Sequence, residues 1–321
     1  MSSTRSRRTS SIRPFISFFY GVHPDKCHGY LAAIDLLLPP RKCPFNCPYC
    51  PLPASPPVEK SLEVKVDLNH FESAIEKHAD VLASIRNVIL WGYGDPLLVA
   101  NLPEVIKVIR RFSGDGILIV HSSGAVIPKA VKTGVLNYID ELRVQLPWPG
   151  VEDFMGYAYT HLDGFANMLH VVSGMRNIVA ELVVARKGSE VYPDPLLLSR
   201  LSSMLSKNSI SRIQVETLTR PPLDERYKPV SKRVLSDIAE YFSSNGFHVE
   251  VCDRQLQPLE GVRVHGLLNV IYNHVLRHPL STGEVRAIYG DNGLIALDNL
   301  IARGLVEKKA WEGMVFYRAL L

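Results

Sequence analysis

Three cysteines fall within eight residues, as Cys43-Pro44-Phe45-Asn46-Cys47-Pro48-Tyr49-Cys50. This spacing lets three thiolates on one short loop converge on a single point. Three thiolates can hold three corners of a four-iron, four-sulfur cube, because such clusters are bound by Cys sulfur. The fourth iron then has no protein ligand. An open metal position is a substrate position, by the logic that separates catalytic from closed structural zinc sites. Two other readings of the same residues stand beside this one. Zinc could be held with Cys27 or His28 as fourth ligand, or structural thiols could be clustered by chance. The remaining Cys252 adjoins the apolar run Phe247–Val251 and reads as a buried structural thiol.

The elements that position the triplet alternate. Strand patterns at Tyr30–Leu38, Val88–Trp91, Ile117–Val120, Leu142–Leu146, Ile178–Ala185, Ile213–Thr217 and Phe247–Val251 are separated by helical spacing. The helices are expected over Asn69–Ser84, Leu102–Arg111, Ile127–Thr133, Thr160–Arg176, Asp194–Lys207 and Ser231–Ser244, with Thr160-x-x-Asp163 resembling a capping box. Strands interleaved with helices of this length imply right-handed βαβ units and a parallel sheet. Six or more units in about 220 residues suit a βα barrel, whose ligands sit in the loops after the strands. The triplet follows the first predicted strand and lands in that zone.

The chain has 321 residues, 46% of them hydrophobic, and a formal charge of 36 − 32 = +4. Composition this apolar excludes global disorder. Five Cys are too few for a disulfide scaffold. No apolar run approaches a membrane span, and the basic N-terminus lacks a signal-peptide pattern. The expectation is a cytoplasmic protein with reduced thiols. Arg5, Arg7, Arg8 and Arg13 carry the whole net charge, and residues 14–321 sum to zero. Residues 1–13 read as a basic tail, 14–252 as the barrel, 253–263 as a linker and 264–321 as a separate module. That module holds helical patterns at Val264–Arg277, Ser281–Tyr289 and Gly293–Ala302. Two strand-like runs around Gly313 follow, the order of a winged helix–turn–helix.

The triplet, with aromatic Tyr49 before its third Cys, resembles the signature of the radical S-adenosylmethionine (SAM) superfamily. The expected fold is therefore α/β, a partial (β/α)6 TIM-like barrel with a C-terminal winged helix domain. The resemblance implies a [4Fe-4S] cluster on Cys43, Cys47 and Cys50 and S-adenosyl-L-methionine at the open iron, with Tyr49 beside its adenine. Gly92-Tyr93-Gly94-Asp95-Pro96 stands where the family has a Gly-Gly-Glu-Pro-like turn around the SAM amino group. Glycines let backbone approach a ligand, and an acid balances an ammonium. Ser122-Ser123-Gly124 stands where relatives carry Thr-Asn-Gly. Arg186 and Lys187, after the fifth strand, are candidates for the SAM carboxylate or a substrate phosphate. Where relatives present Ser and Asp at strand four, this chain has Gln145 and Pro147.

Tyr20-Gly21-Val22-x-Pro24, Thr219-Arg220-Pro221-Pro222 and Lys228-Pro229-Val230-Ser231 resemble the wyosine-synthetase-like subgroup. That implies an enzyme in which a 5′-deoxyadenosyl radical abstracts hydrogen, a tRNA base as substrate, and an electron donor such as ferredoxin or flavodoxin. Arg220, Arg226, Lys228 and the tail are the RNA-contact candidates. Asp291–Arg303 carries Asp291 and Asp298 with Arg303 as its base, which argues against sequence-specific DNA binding. The rival classes are an iron–sulfur regulator using the winged helix and an activase for a glycyl-radical protein.

Overall fold

A computed structural model describes residues 14–148, 155–156 and 162–320. The basic tail and the Thr160 capping box lie outside the described residues. The chain opens with a hairpin of β1 (Phe19–Asp25) and β2 (Gly29–Ile34), paired antiparallel. β1 was not expected, because Gly21 and Pro24 interrupt its pattern. It occupies the end of the sheet, where a missing proline N–H is tolerated.

From β2 onward the strands run parallel: β3 (Val88–Leu90), β4 (Leu118–Ser122), β5 (Glu141–Gln145), β6 (Ile178–Lys187), β7 (Arg212–Thr217) and β8 (His248–Val251). Their spatial order follows the sequence, giving a mixed α/β architecture with a curled half-barrel sheet. The crossovers carry α1 (Leu68–Glu76), α2 (Ala79–Ile85), α3 (Leu102–Ser113), α4 (Ile127–Thr133), α5 (Leu162–His170), α6 (Pro195–Lys207) and α7 (Lys232–Ser244). The single helix expected over Asn69–Ser84 is two, parted at Lys77-His78, where the His78 ring stacks on Phe19 at 4.3 Å. Side-chain caps set several starts: Asp67 for α1, Asp194 for α6 and Ser231 for α7 each accept backbone N–H bonds.

After residues 253–263, which form no helix or strand, come α8 (Leu267–Arg277), α9 (Thr282–Ala302) and the small sheet β9 (Leu280–Ser281), β10 (Val306–Trp311) and β11 (Met314–Ala319). α9 contains both helices expected there, bent at Gly290, whose φ of 64° breaks the helical run. Its start is a full capping box between Ser281 and Glu284.

One apolar core runs from the barrel helices into α8, α9 and β11. Arg277 is completely buried, pairs with Asp35 at 2.8 Å and donates to the Ser17 carbonyl. Gly21 exists for this junction: a Cβ there would strike the Tyr289 hydroxyl and the His274 ring.

Cys27 and Cys252 form a disulfide with Cα atoms 4.7 Å apart. This corrects the expectation that both stay free thiols. The bond links the β1–β2 turn to the residue after β8, so it joins the two ends of the sheet. Arg254 N–H donating to the Lys26 carbonyl (3.3 Å) and Tyr30 Oη to the Gln257 carbonyl (2.6 Å) reinforce the seam. Among the described residues no helix is long and apolar enough to cross a membrane.

Candidate active site

The loop after β2 carries Cys43, Cys47 and Cys50, all free thiols, at the mouth of a cavity of about 200 Å³. Backbone bonds fold the loop: Cys50 N–H reaches the Cys47 carbonyl and Val58 N–H the Cys43 carbonyl. Leu223 and Asp224, beyond β7, bind the Cys50 and Pro48 carbonyls from the opposite wall. Arg41 is the internal brace. Its guanidinium donates to Asn46 Oδ1 and to the Phe45 and Pro53 carbonyls, and it is only 7% exposed.

Burial works against the Arg41 charge, but Cys50, Cys43 and Cys47 as thiolates more than offset this and hold it firmly protonated. Among the described residues its Nε–H has no partner. Burial pushes the Cys43 and Cys47 thiols up, so both stay protonated until a metal displaces the protons.

These residues fit an iron–sulfur cluster better than zinc. Among the described residues no three His, Cys, Asp or Glu side chains can hold one metal ion. Zinc needs sulfurs about 2.3 Å from one centre, whereas a cluster takes one thiolate per iron. The fourth ligands considered for zinc are also committed: Cys27 to its disulfide, and His28 to Asp25, Glu141 and Arg143. A buried cation with a spare N–H among three sulfurs complements the negative charge of a thiolate-bound cluster.

The turn after β3 packs against this loop. Lys42 N–H donates to the Tyr93 carbonyl and Asp95 N–H to the Lys42 carbonyl. A Cβ on Gly94 would strike the Lys42 carbonyl, and one on Gly92 would strike Asp35. The glycines thus admit neighbouring protein, while both still line the cavity. Asp95 is 2% exposed. Its carboxylate accepts from Leu97 N–H, Ser122 Oγ (2.8 Å), Ser123 N (3.0 Å) and Ser123 Oγ (2.6 Å). Asp95, Ser122 and Ser123, expected separately around SAM, are therefore one hydrogen-bonded cluster tying the β3 and β4 turns together. Ser123 faces the cavity; Ser122 does not line it.

Tyr49 lines the cavity with its ring 4.7 Å from Trp148. Gln145 lines it as well, donating to the Glu181 carbonyl. Tyr93 does not: its hydroxyl donates to the Leu276 carbonyl of α8. Arg186 and Lys187 also lie away from the cavity, on β6 where it pairs with Glu190–Tyr192 and Tyr227–Pro229.

Below the loop the sheet's inner face alternates, as strand geometry requires. On the β1–β4 side Tyr20, Leu31, Ala33, Ile89 and Ile119 form an apolar cluster of their own. On the β5–β7 side it is charged. Arg143 binds Asp25 at 2.6 Å, Glu141 at 2.9 Å and His28 at 2.7 Å; Arg212 joins Glu141 at 3.0 Å, and His121 contacts Glu181. Burial pulls the His28 pKa down, but hydrogen bonds to Asp25 and Glu141 reverse this and raise it to about 9. Burial opposes ionisation of Glu141 too, yet the His28 and Arg143 contacts lower it to about 2. Glu216 on β7 faces the cavity, and among the described residues its side chain has no hydrogen bond or ion pair. His278, at the end of α8, and Trp91 complete the wall.

Of these lumen residues only Tyr20 and His28 were named from the sequence, and neither for a lumen role. The signal was present: Glu141-Leu-Arg143-Val-Gln145 puts polar side chains at every second position of a strand in a parallel sheet, where apolar runs are the rule.

No protein-family model matches the chain. Over 299 residues it is 23% identical to a UPF0026 protein of Helicobacter pylori (strain ATCC 700392 / 26695), covering 91% of this chain and 94% of the relative. A UPF0026 protein of strain J99 / ATCC 700824 is 24% identical over 302 residues, with the same coverage. Among solved structures, Streptococcus suis SuiB bound to precursor peptide SuiA is similar at 12% identity and a TM-score of 0.44. The match covers 68% of this chain and 48% of SuiB, so the chain spans about half the length of that structure.

Proposed function

We propose that this chain is a radical SAM enzyme. The observation that carries the reading is the loop bearing Cys43, Cys47 and Cys50 as free thiols around the buried Arg41, at the mouth of a cavity inside a curled parallel sheet. When bound, a [4Fe-4S] cluster with S-adenosyl-L-methionine supplies a 5′-deoxyadenosyl radical that abstracts hydrogen from a substrate. The chain's own residues supply position and shielding. Arg41 and the Asp95–Ser123 cluster fix the two loops at the mouth, Tyr49 offers an aromatic edge, and the walls exclude water from the lumen.

The C-terminal elements fit a winged helix–turn–helix that serves as a wall of the barrel. Its lysines are engaged: Lys308 with Asp298 at 3.3 Å and Lys309 with Glu225 at 2.8 Å. The pairing supports packing over DNA reading. A tRNA base is the substrate class the sequence resemblance offers. Against it, Arg220 binds Pro279 O and Glu284, Arg226 binds Asp224, and Lys228 binds Glu312. A small ferredoxin or flavodoxin is the expected electron source.

The test is anaerobic reconstitution followed by dithionite and SAM. A sample loaded with about four irons per chain should release 5′-deoxyadenosine. Loaded protein that releases none overturns the reading.

A further inference from the structure

The lumen below the cysteine loop contains hydrogen-bonding groups that the protein itself leaves unused. Among the described residues the Glu216 side chain has no hydrogen bond or ion pair. His278 is 3% exposed and His23 9% exposed, and among the described residues both ring nitrogens of His278 and the Nδ1 of His23 lack partners. All three line the cavity, as does Trp91, whose ring lies 5.4 Å from His23 and 5.2 Å from His278. Leaving buried polar groups unpaired costs free energy, and three such ring nitrogens converging on one cavity beside the partly exposed Glu216 side chain mark a place where a ligand completes the bonding.

We infer that this part of the lumen binds a substrate bearing a protonated nitrogen, an ammonium or guanidinium, seated on the Glu216 carboxylate beside Trp91. The inference rests on the cavity being the substrate site. The unused capacity decides the sign of the ligand. Arg143 spends its guanidinium on Asp25, Glu141 and His28, and Arg220 spends its own on Pro279 O and Glu284. The vacant partner is a carboxyl, which wants N–H donors. Neutral imidazoles and an indole ring are compatible with an organic cation. Burial holds His23 at about 3 and His278 well below its usual value, so neither repels one. Burial first, then the Glu181 and Asp25 charges, raise Glu216 to about 8 against Arg143 and Arg220, so its carboxyl ionises only on the alkaline side of neutral unless a cation sits on it.

The test is calorimetry on cluster-loaded protein at pH 8.5 with N-methylguanidinium, its neutral isostere N-methylurea, and acetate. The expected result is methylguanidinium binding at least about tenfold tighter than methylurea, with that preference lost in Glu216→Gln. Equal affinities, preference for acetate, or no binding by any probe overturns the inference. If Glu216→Gln does not fold, the wild-type pH profile decides. Methylguanidinium affinity should rise as Glu216 ionises near pH 8, and a flat profile overturns the inference. The other charged groups facing Glu216 are Asp25, Arg143, Glu181 and Arg220, with His23, His121 and His278 as the titratable rings and Lys26 at the exposed rim. Iron content and 5′-deoxyadenosine release are read separately, so a failed cluster with intact cation selectivity, or the reverse, tells the two proposals apart.

Discussion

The mouth of the cavity and its floor are built on opposite plans. At the mouth, the groups stand close together in sequence: three cysteines within eight residues, Gly92 to Pro96, Ser122 to Gly124. Backbone bonds, one buried arginine and the Asp95 carboxylate hold them to neighbouring loops. At the floor, Asp25, His121, Arg143, Glu181, Glu216 and His278 come singly from different strands and from the end of α8. There, side chains hold one another. A loop can be recognised as a word; a lumen is assembled from letters that only the sheet brings together.

The contrast can be broken at either region. The largest effect should come from Cys47→Ala: iron content falls and 5′-deoxyadenosine release drops to background, while the lumen and the melting temperature of the iron-free protein stay unchanged. Next is Arg143→Met, which strands Asp25 and Glu141 as buried charges. Breaking a buried pair from one side costs about 3–5 kcal/mol, read as lower stability in urea, with iron loading retained in the protein that folds. If Arg143→Met changes nothing, the floor is not held by its side chains.

Gly94→Ala should cost about 1–3 kcal/mol through overpacking against Lys42. It should also reduce iron loading, because Lys42 adjoins the triplet. Smaller still is the pH signature of His28. Its raised pKa contributes stability that is complete below pH 6.5 and lost as pH rises through about 9. The difference in melting temperature between wild type and His28→Gln should shrink across that window. Glu216→Gln should act in the opposite sense. The wild-type carboxyl, neutral in the fold up to about pH 8, gives up stability as the unfolded chain ionises above about pH 4.5. The variant should therefore melt higher than wild type at pH 8 and equally at pH 4.

The curled parallel sheet was legible in the sequence because most of its strands, such as Val88–Leu90 and Ile178–Ala185, hold apolar runs that alternate with amphipathic helices. β1 was not, since Gly21 and Pro24 serve a junction with α8 and α9 that only the tertiary structure reveals. The triplet was legible because its chemistry needs local spacing. Asp95 was named for a ligand, but its oxygens are taken up by Ser122 and Ser123 across 27 residues. Arg186 and Lys187 were named from their place after a strand. β6 runs on through both as it pairs with two short antiparallel neighbours, which carries them away from the mouth. The disulfide was unreadable because its partners are 225 residues apart.

That bond has a topological consequence. Covalently, residues 27–252 are a ring, and the segments before and after it leave from one point on its rim. They travel together: Phe15 and Ser17 bind Asn269 and Asn273 of α8. A single peptide cut anywhere inside the ring leaves one molecule under oxidising conditions and two after a thiol reductant. In the chain-entropy picture, closing so long a loop removes about 5 kcal/mol of freedom from the unfolded chain, and that restraint falls on the barrel alone.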